Sequence, residues 1–325
     1  MSYPVMSYLP VTPENNFFPV TLQHKMEPTH TEDSVPSSQR MADFICTEES
    51  TINLAGKNIG DFGASSLAKL LQVNKTLTSI NLQYNQIGAL GVSELAKALK
   101  VNNTITTLNL GFNQIGDQGM LYLAKALEVN ETITTIHLTE NQIGDLGIAS
   151  LAEALYTNKS VLTMNLEYNQ IGDSGAFSLG KALEVNKSVN TINLLYNKIQ
   201  GSGASSLAKA LSVNNSITTM NLGHNQIGDS GADALAKALK KNNSITTMNL
   251  GHNKIGDSGV SSLAKALSVN NTITTINLGY NQIKDSGLYS LAEALQANKS
   301  ITEIYLSKNE IRDLGISSLA KALGI

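Results

Sequence analysis

His224 and His252 stand 28 residues apart in the same five-residue context, Asn-Leu-Gly-His-Asn. Two imidazoles held side by side are half of a zinc site, which needs further His, Cys or carboxylate ligands. A step of 28 residues outward from the pair gives Tyr196 and Tyr280. Neither completes such a site, so no metal is expected there. Glu140 and Glu167 fall on neighbouring copies of one pattern and form a carboxylate pair. Acid–base chemistry also needs a pocket that holds a substrate and sheds water, and their surroundings read as an open face. Cys46, the single cysteine, has no base beside it and reads as a small apolar group. Nine Asn-x-Ser/Thr triplets run from Asn74 to Asn298 and match the glycan acceptor pattern. They all sit at one spacing, so a single turn repeated nine times accounts for them. No catalytic residue and no cofactor site is expected.

These residues are all positioned by one periodic pattern. Leu110 recurs as Leu82, Leu138, Leu166, Leu194, Leu222, Leu250, Leu278 and Leu306. Asn113 recurs as Asn85, Asn141, Asn169, Asn197, Asn225, Asn253, Asn281 and Asn309. Ten 28-residue repeats follow one another without insertion or deletion, which predicts a solenoid. Each repeat alternates apolar and polar residues around Leu108 and Leu110, the signature of a strand. Each then presents a helical stripe such as Leu235, Ala236 and Leu239. A strand followed by a return helix must pair in parallel with the next strand. Strands pair about 4.8 Å apart and helices pack about 8–10 Å apart, so the stack bends into a horseshoe with the sheet inside. The fold class is therefore α/β, with a concave parallel sheet and convex helices.

Asp precedes the helix in eight repeats and is expected to cap it; Ala89 and Gly201 take its place in the other two and predict weaker caps. A glycine two residues on, Gly63 through Gly315, implies close packing or an unusual backbone angle. Asparagines such as Asn214 and Asn242 are expected to end the helices in a helix-terminating conformation. The Asn85-to-Asn309 column reads as a structural ladder that satisfies loop N–H and C=O groups, with Lys57 replacing Asn in the first repeat. Three columns face the concave side. One is mostly Thr, such as Thr107 and Thr191. One is mostly Asn, including Asn165, Asn193, Asn221 and Asn249, with His137 and Tyr305 as exceptions. The third is irregular: Gly56, Tyr84, Phe112, Glu140, Tyr168, Tyr196, His224, His252, Tyr280 and Lys308. An aromatic line on a polar face is what a protein-binding surface with a few anchors needs. The candidate binding residues are thus Tyr84, Phe112, Tyr168, Tyr196, His224, His252 and Tyr280. The convex lysines, such as Lys209 and Lys237, read as a solvated helix face.

The unit L-x-L-x-x-N-x-I-G-D-x-G-x-x-x-L-A-x-A-L resembles the ribonuclease-inhibitor-like leucine-rich repeats found in ribonuclease inhibitor, NOD-like receptors and the Ran GTPase-activating protein. The resemblance covers residues 51–325 and implies a strand–helix horseshoe that binds another protein or an extended peptide. By analogy with the Ran activator it also implies an alternative, regulation of a Ran-type small GTPase, although no acidic tail follows the repeats. A structural array, or an effector acting on another cell's proteins, is the further alternative.

Composition narrows the classes. The net charge is −3 with no Lys/Arg cluster, so no nucleic-acid partner is expected. No apolar run nears the roughly 20 residues of a membrane span. With one cysteine and no recognisable signal peptide the chain is expected in the cytoplasm, specialised export aside. All six prolines lie in residues 1–40, which read as a disordered tail. Residues 41–50 read as a cap placing Phe44 and Ile45 over the core, and 51–325 as the repeat domain. The last repeat leaves Leu306, Ile311, Leu319 and Leu323 without a following neighbour, which predicts fraying or end-to-end self-association.

Overall fold

A computed structural model describes residues 50–324; the expected tail, and the cap residues Phe44, Ile45 and Cys46, lie outside the described residues. Ten strands of three residues each, from Thr51–Asn53 to Glu303–Tyr305, form one parallel sheet in strict chain order. The register is the sequence period itself: Ile80 pairs with Leu108, Met164 with Ile192, Asn221 with Asn249. The helices run between Gly60–Val73 and Asp313–Leu323, and each packs only on its neighbours. The result is the open solenoid that the period implies.

Alternation explains the strands. In Thr107–Asn109 the central Leu108 is buried while the flanking residues face out. Leu110 and Ile115 follow into the core, and Leu123, Ala124 and Leu127 meet them from the helix. Stacking is what closes this core, since one rung alone would leave both its sides wet. In the last rung Ile304, Leu306, Ile311 and Leu319 are only half-buried, whereas their equivalents one rung back are fully buried.

The aspartates cap helices, but not their own. Among the described residues no helix has a side-chain cap from its own N-cap residue. Instead Asp61 Oδ1 accepts the N–H groups of Gly88 and Gly91 at 2.7 and 2.9 Å, one rung further on. Asp117, Asp145, Asp173, Asp229, Asp257 and Asp285 do the same for the next helix in turn. The expectation of weaker caps at Ala89 and Gly201 is therefore corrected: the missing carboxylates are felt one rung later. There the backbone changes state. Gly116 and Gly228 adopt φ of +58° and +59°, as does Gly60 at +55° in the first rung. Their N–H groups turn to the carbonyls of Asn141, Asn253 and Asn85, and the helix begins one residue early. Where the carboxylate is present the same position is extended and accepts other side chains, as Gln200, Lys284 and Arg312 show.

This yields a prediction. Gly116→Lys should cost about 1–2 kcal/mol, because a Cβ is disfavoured in the left-handed region. Gly256→Lys should be nearly silent. Ala89→Asp should rescue Gly116→Lys by supplying the carboxylate. Urea denaturation of the four proteins checks this, and equal losses at positions 116 and 256 would refute the relay.

The second glycine of the turn is explained by close packing alone. A Cβ on Gly91 would lie 2.6 Å from Asp61 Oδ1 and 2.8 Å from Ile87 Cγ2. The helix-ending asparagines are also corrected. Asn158, Asn186 and Asn298 are extended rather than left-handed. They form a second buried ladder: Asn214 Nδ2 donates to the carbonyls of Leu183 and Asn186, and its Oδ1 accepts from Ser216 and Ile217 N–H. The glycan-like triplets are thus internal turns, with the Ser or Thr hydroxyl held on the same amide. The first ladder forms as expected. Asn197 Nδ2 reaches Leu166 O on the preceding rung and Leu194 O on its own, while Oδ1 accepts Ile171 N–H. Lys57, in the ladder column of the first rung, is exposed.

Candidate functional site: the ring row on the sheet face

The outward face of the sheet is built from the Thr and Asn columns of the strands and the two residues that leave each strand. The Asn column is less available than the sequence implies. Its side-chain oxygens accept the N–H two residues on, as in Asn109 to Gly111, Asn165 to Glu167 and Asn249 to Gly251. Asn193, Asn221, Asn249 and Asn277 are buried. Their side chains therefore form turns within the sheet face. Gly223, Gly251 and Gly279 make room for this packing: a Cβ on Gly223 would meet Leu195 Cδ1 at 2.7 Å and Asn249 Nδ2 at 3.0 Å.

The irregular column beside it is brought together as predicted, and more tightly. Tyr168, Tyr196, His224, His252 and Tyr280 form one continuous face-to-face stack, with centroids 4.0, 3.7, 3.6 and 3.9 Å apart. Tyr84 and Phe112 form a second stack at 4.3 Å. These spacings are shorter than the ~4.8 Å between paired strands, so the row lies on the inner side of the bend. Every member of the column sits in the left-handed region, from Gly56 at φ +67° through Tyr84, Phe112, Glu140 and the stacked rings to Lys308 at +55°. Only the first is glycine. Nine side chains are held where a Cβ is disfavoured, and eight of them, all but Lys308 of the last rung, send their N–H to the next rung's carbonyl, as Tyr196 does to Gly223 O.

Stacking decides what the rings offer. Inner rings have both faces covered by neighbours and present edges, ring nitrogens and hydroxyls. The first ring of each stack is more open: Tyr84 and Tyr168 are 48% and 44% exposed, while Phe112, Tyr196, His224, His252 and Tyr280 are half-buried. Burial, and then the neighbouring His252, pushes the His224 pKa down to about 3, so this imidazole is neutral at pH 7. Two imidazoles stacked 3.6 Å apart aim their lone pairs in parallel rather than at a common point. Among the described residues no group of three or more His, Cys, Asp or Glu converges on one point.

Glu140 and Glu167 are neighbours as predicted, joined by the backbone bond from Glu140 N to Glu167 O at 2.9 Å. Glu167 differs from the reading in being half-buried. Burial lifts its pKa to about 7; hydrogen bonds from Asn193 and Asn165 oppose this, and the Glu140 charge adds to it. Asn193 Nδ2 donates to Glu167 Oε2 at 3.2 Å. Burial also raises Glu140 and Tyr168 and lowers His137, which stands in the Asn column beside Asn165. The sequence marked Glu167 as one of a carboxylate pair but not its burial, and His137 only by its departure from the repeat. The convex lysines point into solvent, Lys237 pairing with Asp233 at 2.7 Å.

A family model described as a leucine-rich repeat matches nine successive segments: 73–96, 101–124, 129–152, 157–180, 185–208, 213–236, 241–264, 269–292 and 297–320. No curated protein matches. Among solved structures, the APL1 leucine-rich repeat domain superposes with a TM-score of 0.51 at 14% identity, over 85% of this chain and 60% of that one. An internalin, InlF from Listeria monocytogenes, gives 0.43 at 20% identity over 87% of each chain. Actin-binding site 2 of leiomodin-1 gives 0.40 at 22% identity, over 46% of this chain and 86% of that one. Likeness at these identities speaks for the fold alone. The nine matched segments keep the 28-residue step of the strand register, and the strand Thr51–Asn53 adds a tenth rung ahead of them. Since the matches span well over half of its length, the chain belongs to the leucine-rich repeat family.

Proposed function

We propose that the chain is a non-enzymatic, protein-binding scaffold of the ribonuclease-inhibitor-like kind, and that its working surface is the sheet face along the ring row. The observation that carries this reading is the column itself. Nine non-glycine side chains occupy a backbone region that glycine would fill without strain. Asn58, Gln86, Gln142 and Lys254, two residues on, share this region in some rungs, but the ring column keeps it in every rung, and strain so maintained favours a role for the side chains displayed. Five rings locked by stacking lose little freedom on binding, and aromatic anchors of that kind dominate protein interfaces. The partner is another protein or an extended peptide running across the rungs. The single cysteine fits a reducing compartment such as the cytoplasm.

The test begins with a partner isolated by affinity capture and measured by calorimetry. Asn is the better replacement for the tyrosines, because it tolerates the left-handed backbone. Tyr168→Asn with Tyr196→Asn should weaken binding by about 2 kcal/mol while leaving the circular dichroism unchanged. Lys209→Ala with Lys237→Ala, on the helix side, should leave affinity unchanged. The reverse pattern would move the working surface to the helices.

A further inference from the structure

The ring row has one interruption. Phe112 ends the first stack and Tyr168 begins the second, and the position between them is Glu140. With rings 3.6–4.3 Å apart on successive rungs, one flat layer is missing. The face of Tyr168 turned toward the break is not covered by a ring, which accounts for its exposure beside the half-buried Tyr196. Two carboxylates stand at the same break: Glu140, exposed, and Glu167, half-buried and held by Asn193.

The charge around them is one-sided. Across the outward columns the charged side chains are Glu140, Glu167, and Glu303 with Lys308 on the last rung. Among the described residues no lysine, arginine or histidine lies within ion-pair distance of Glu140 or Glu167. His137, in the neighbouring Asn column, is pushed toward its neutral form by burial and does not compensate them.

We infer that the break at Glu140 is a seat for an arginine side chain of the bound protein, its guanidinium laid on the open face of Tyr168 and its N–H groups directed at the Glu140 and Glu167 carboxylates. This rests on the sheet face being the binding surface. The chemistry selects arginine. A guanidinium is planar, so it supplies the missing layer of the stack, and it is attracted to an aromatic face. Its five N–H donors sit in a fixed fork that matches carboxylate oxygens. It is weakly hydrated, so it enters a half-buried site more readily than an ammonium. A lysine would reach the carboxylates as a point charge and leave the stack open. A neutral aromatic side chain would fill the layer and leave two carboxylates unpaired.

A displayed library of random peptides, panned against the full-length chain, tests this. Selected peptides should share an arginine at one fixed position. Replacing that arginine by lysine should weaken binding at least fivefold. Glu140→Gln with Glu167→Gln should weaken it at least tenfold, and Tyr168→Asn should do so without touching either carboxylate. Circular dichroism of each variant guards against loss of fold. Peptides that lack arginine, or that bind the Glu140→Gln/Glu167→Gln protein as well as the parent, overturn the arginine seat. If those same peptides still depend on Tyr196 and His224, the sheet-face reading survives without it. A selection that yields no peptide, or only peptides indifferent to every ring of the row, overturns both.

Discussion

Asn214→Ala is expected to lower the unfolding free energy by at least about 3 kcal/mol, more than a typical core truncation of one methyl group. The amide is fully buried and serves two rungs at once. Its Nδ2 satisfies the carbonyls of Leu183 and Asn186, at 2.8 Å each, and its Oδ1 satisfies the N–H groups of Ser216 and Ile217. Alanine removes one partner from each of these four backbone groups. A buried polar group left without a partner costs about 1–3 kcal/mol, and several share the loss here. Asn74, the same column in the first rung, is the internal control. It is half-buried and holds the Thr76 and Leu77 N–H groups at 3.1 and 2.8 Å, with its amide N–H on Thr76 Oγ1. Asn74→Ala should therefore cost about 1 kcal/mol. Urea denaturation of both variants decides the matter, and equal losses would sink the two-rung argument. The same geometry bears on the glycan-like triplets: a sugar on Asn214 Nδ2 would replace one of the two N–H donors that bind Leu183 O and Asn186 O.

How much of this was legible in the sequence follows from what repeats and what does not. The strand register, the helix stripes and the Asn85-to-Asn309 ladder are properties of a period, and a period shows in one chain. The partners of Asp61 and Asn214 were not legible, because they lie 27 to 31 residues away on the neighbouring rung. Reading each repeat as self-contained gave Asp61 to its own helix, when the helix it caps is the next one. One sequence signal did exist: Gly at the turn is replaced by Gln200, Lys284 and Arg312 only where the preceding rung carries Asp. The ring column was legible as a line of residue types. Its stacking was not, since it depends on a left-handed backbone at each ring that no residue type there announces. The depth of Glu167 was hidden for a similar reason. Its raised pKa reflects burial and the Glu140 charge against hydrogen bonds from Asn193 and Asn165, partners on two rungs that its own place in the repeat does not show.

Glu167→Gln is expected to stabilise the protein by about 2–3 kcal/mol at pH 8 and to have no effect at or below pH 4.5. The sign follows from the direction of the shift. Burial raises the folded-state pKa to about 7 from an ordinary 4.5. The folded chain therefore keeps a proton that the unfolded chain releases across this range. The stability from the neutral carboxyl is fully present below about pH 4.5 and is lost as pH rises to about 7. Gln is neutral throughout, keeps an oxygen for Asn193 Nδ2, and escapes the loss. Denaturation midpoints measured from pH 4 to 8 should thus diverge between the parent and the variant above pH 4.5, then run parallel above pH 7. A pH-independent difference would mean that folding does not raise the Glu167 pKa. The prediction also ties stability to function. A carboxylate that weakens the fold at neutral pH, beside an unpaired Glu140 and an open ring face, is better accounted for by a cation that arrives from outside. Arginine seated there would favour the ionised form and recover part of the lost stability. The parent protein, and not Glu167→Gln, should then show a larger thermal shift with an arginine peptide at pH 8 than at pH 5.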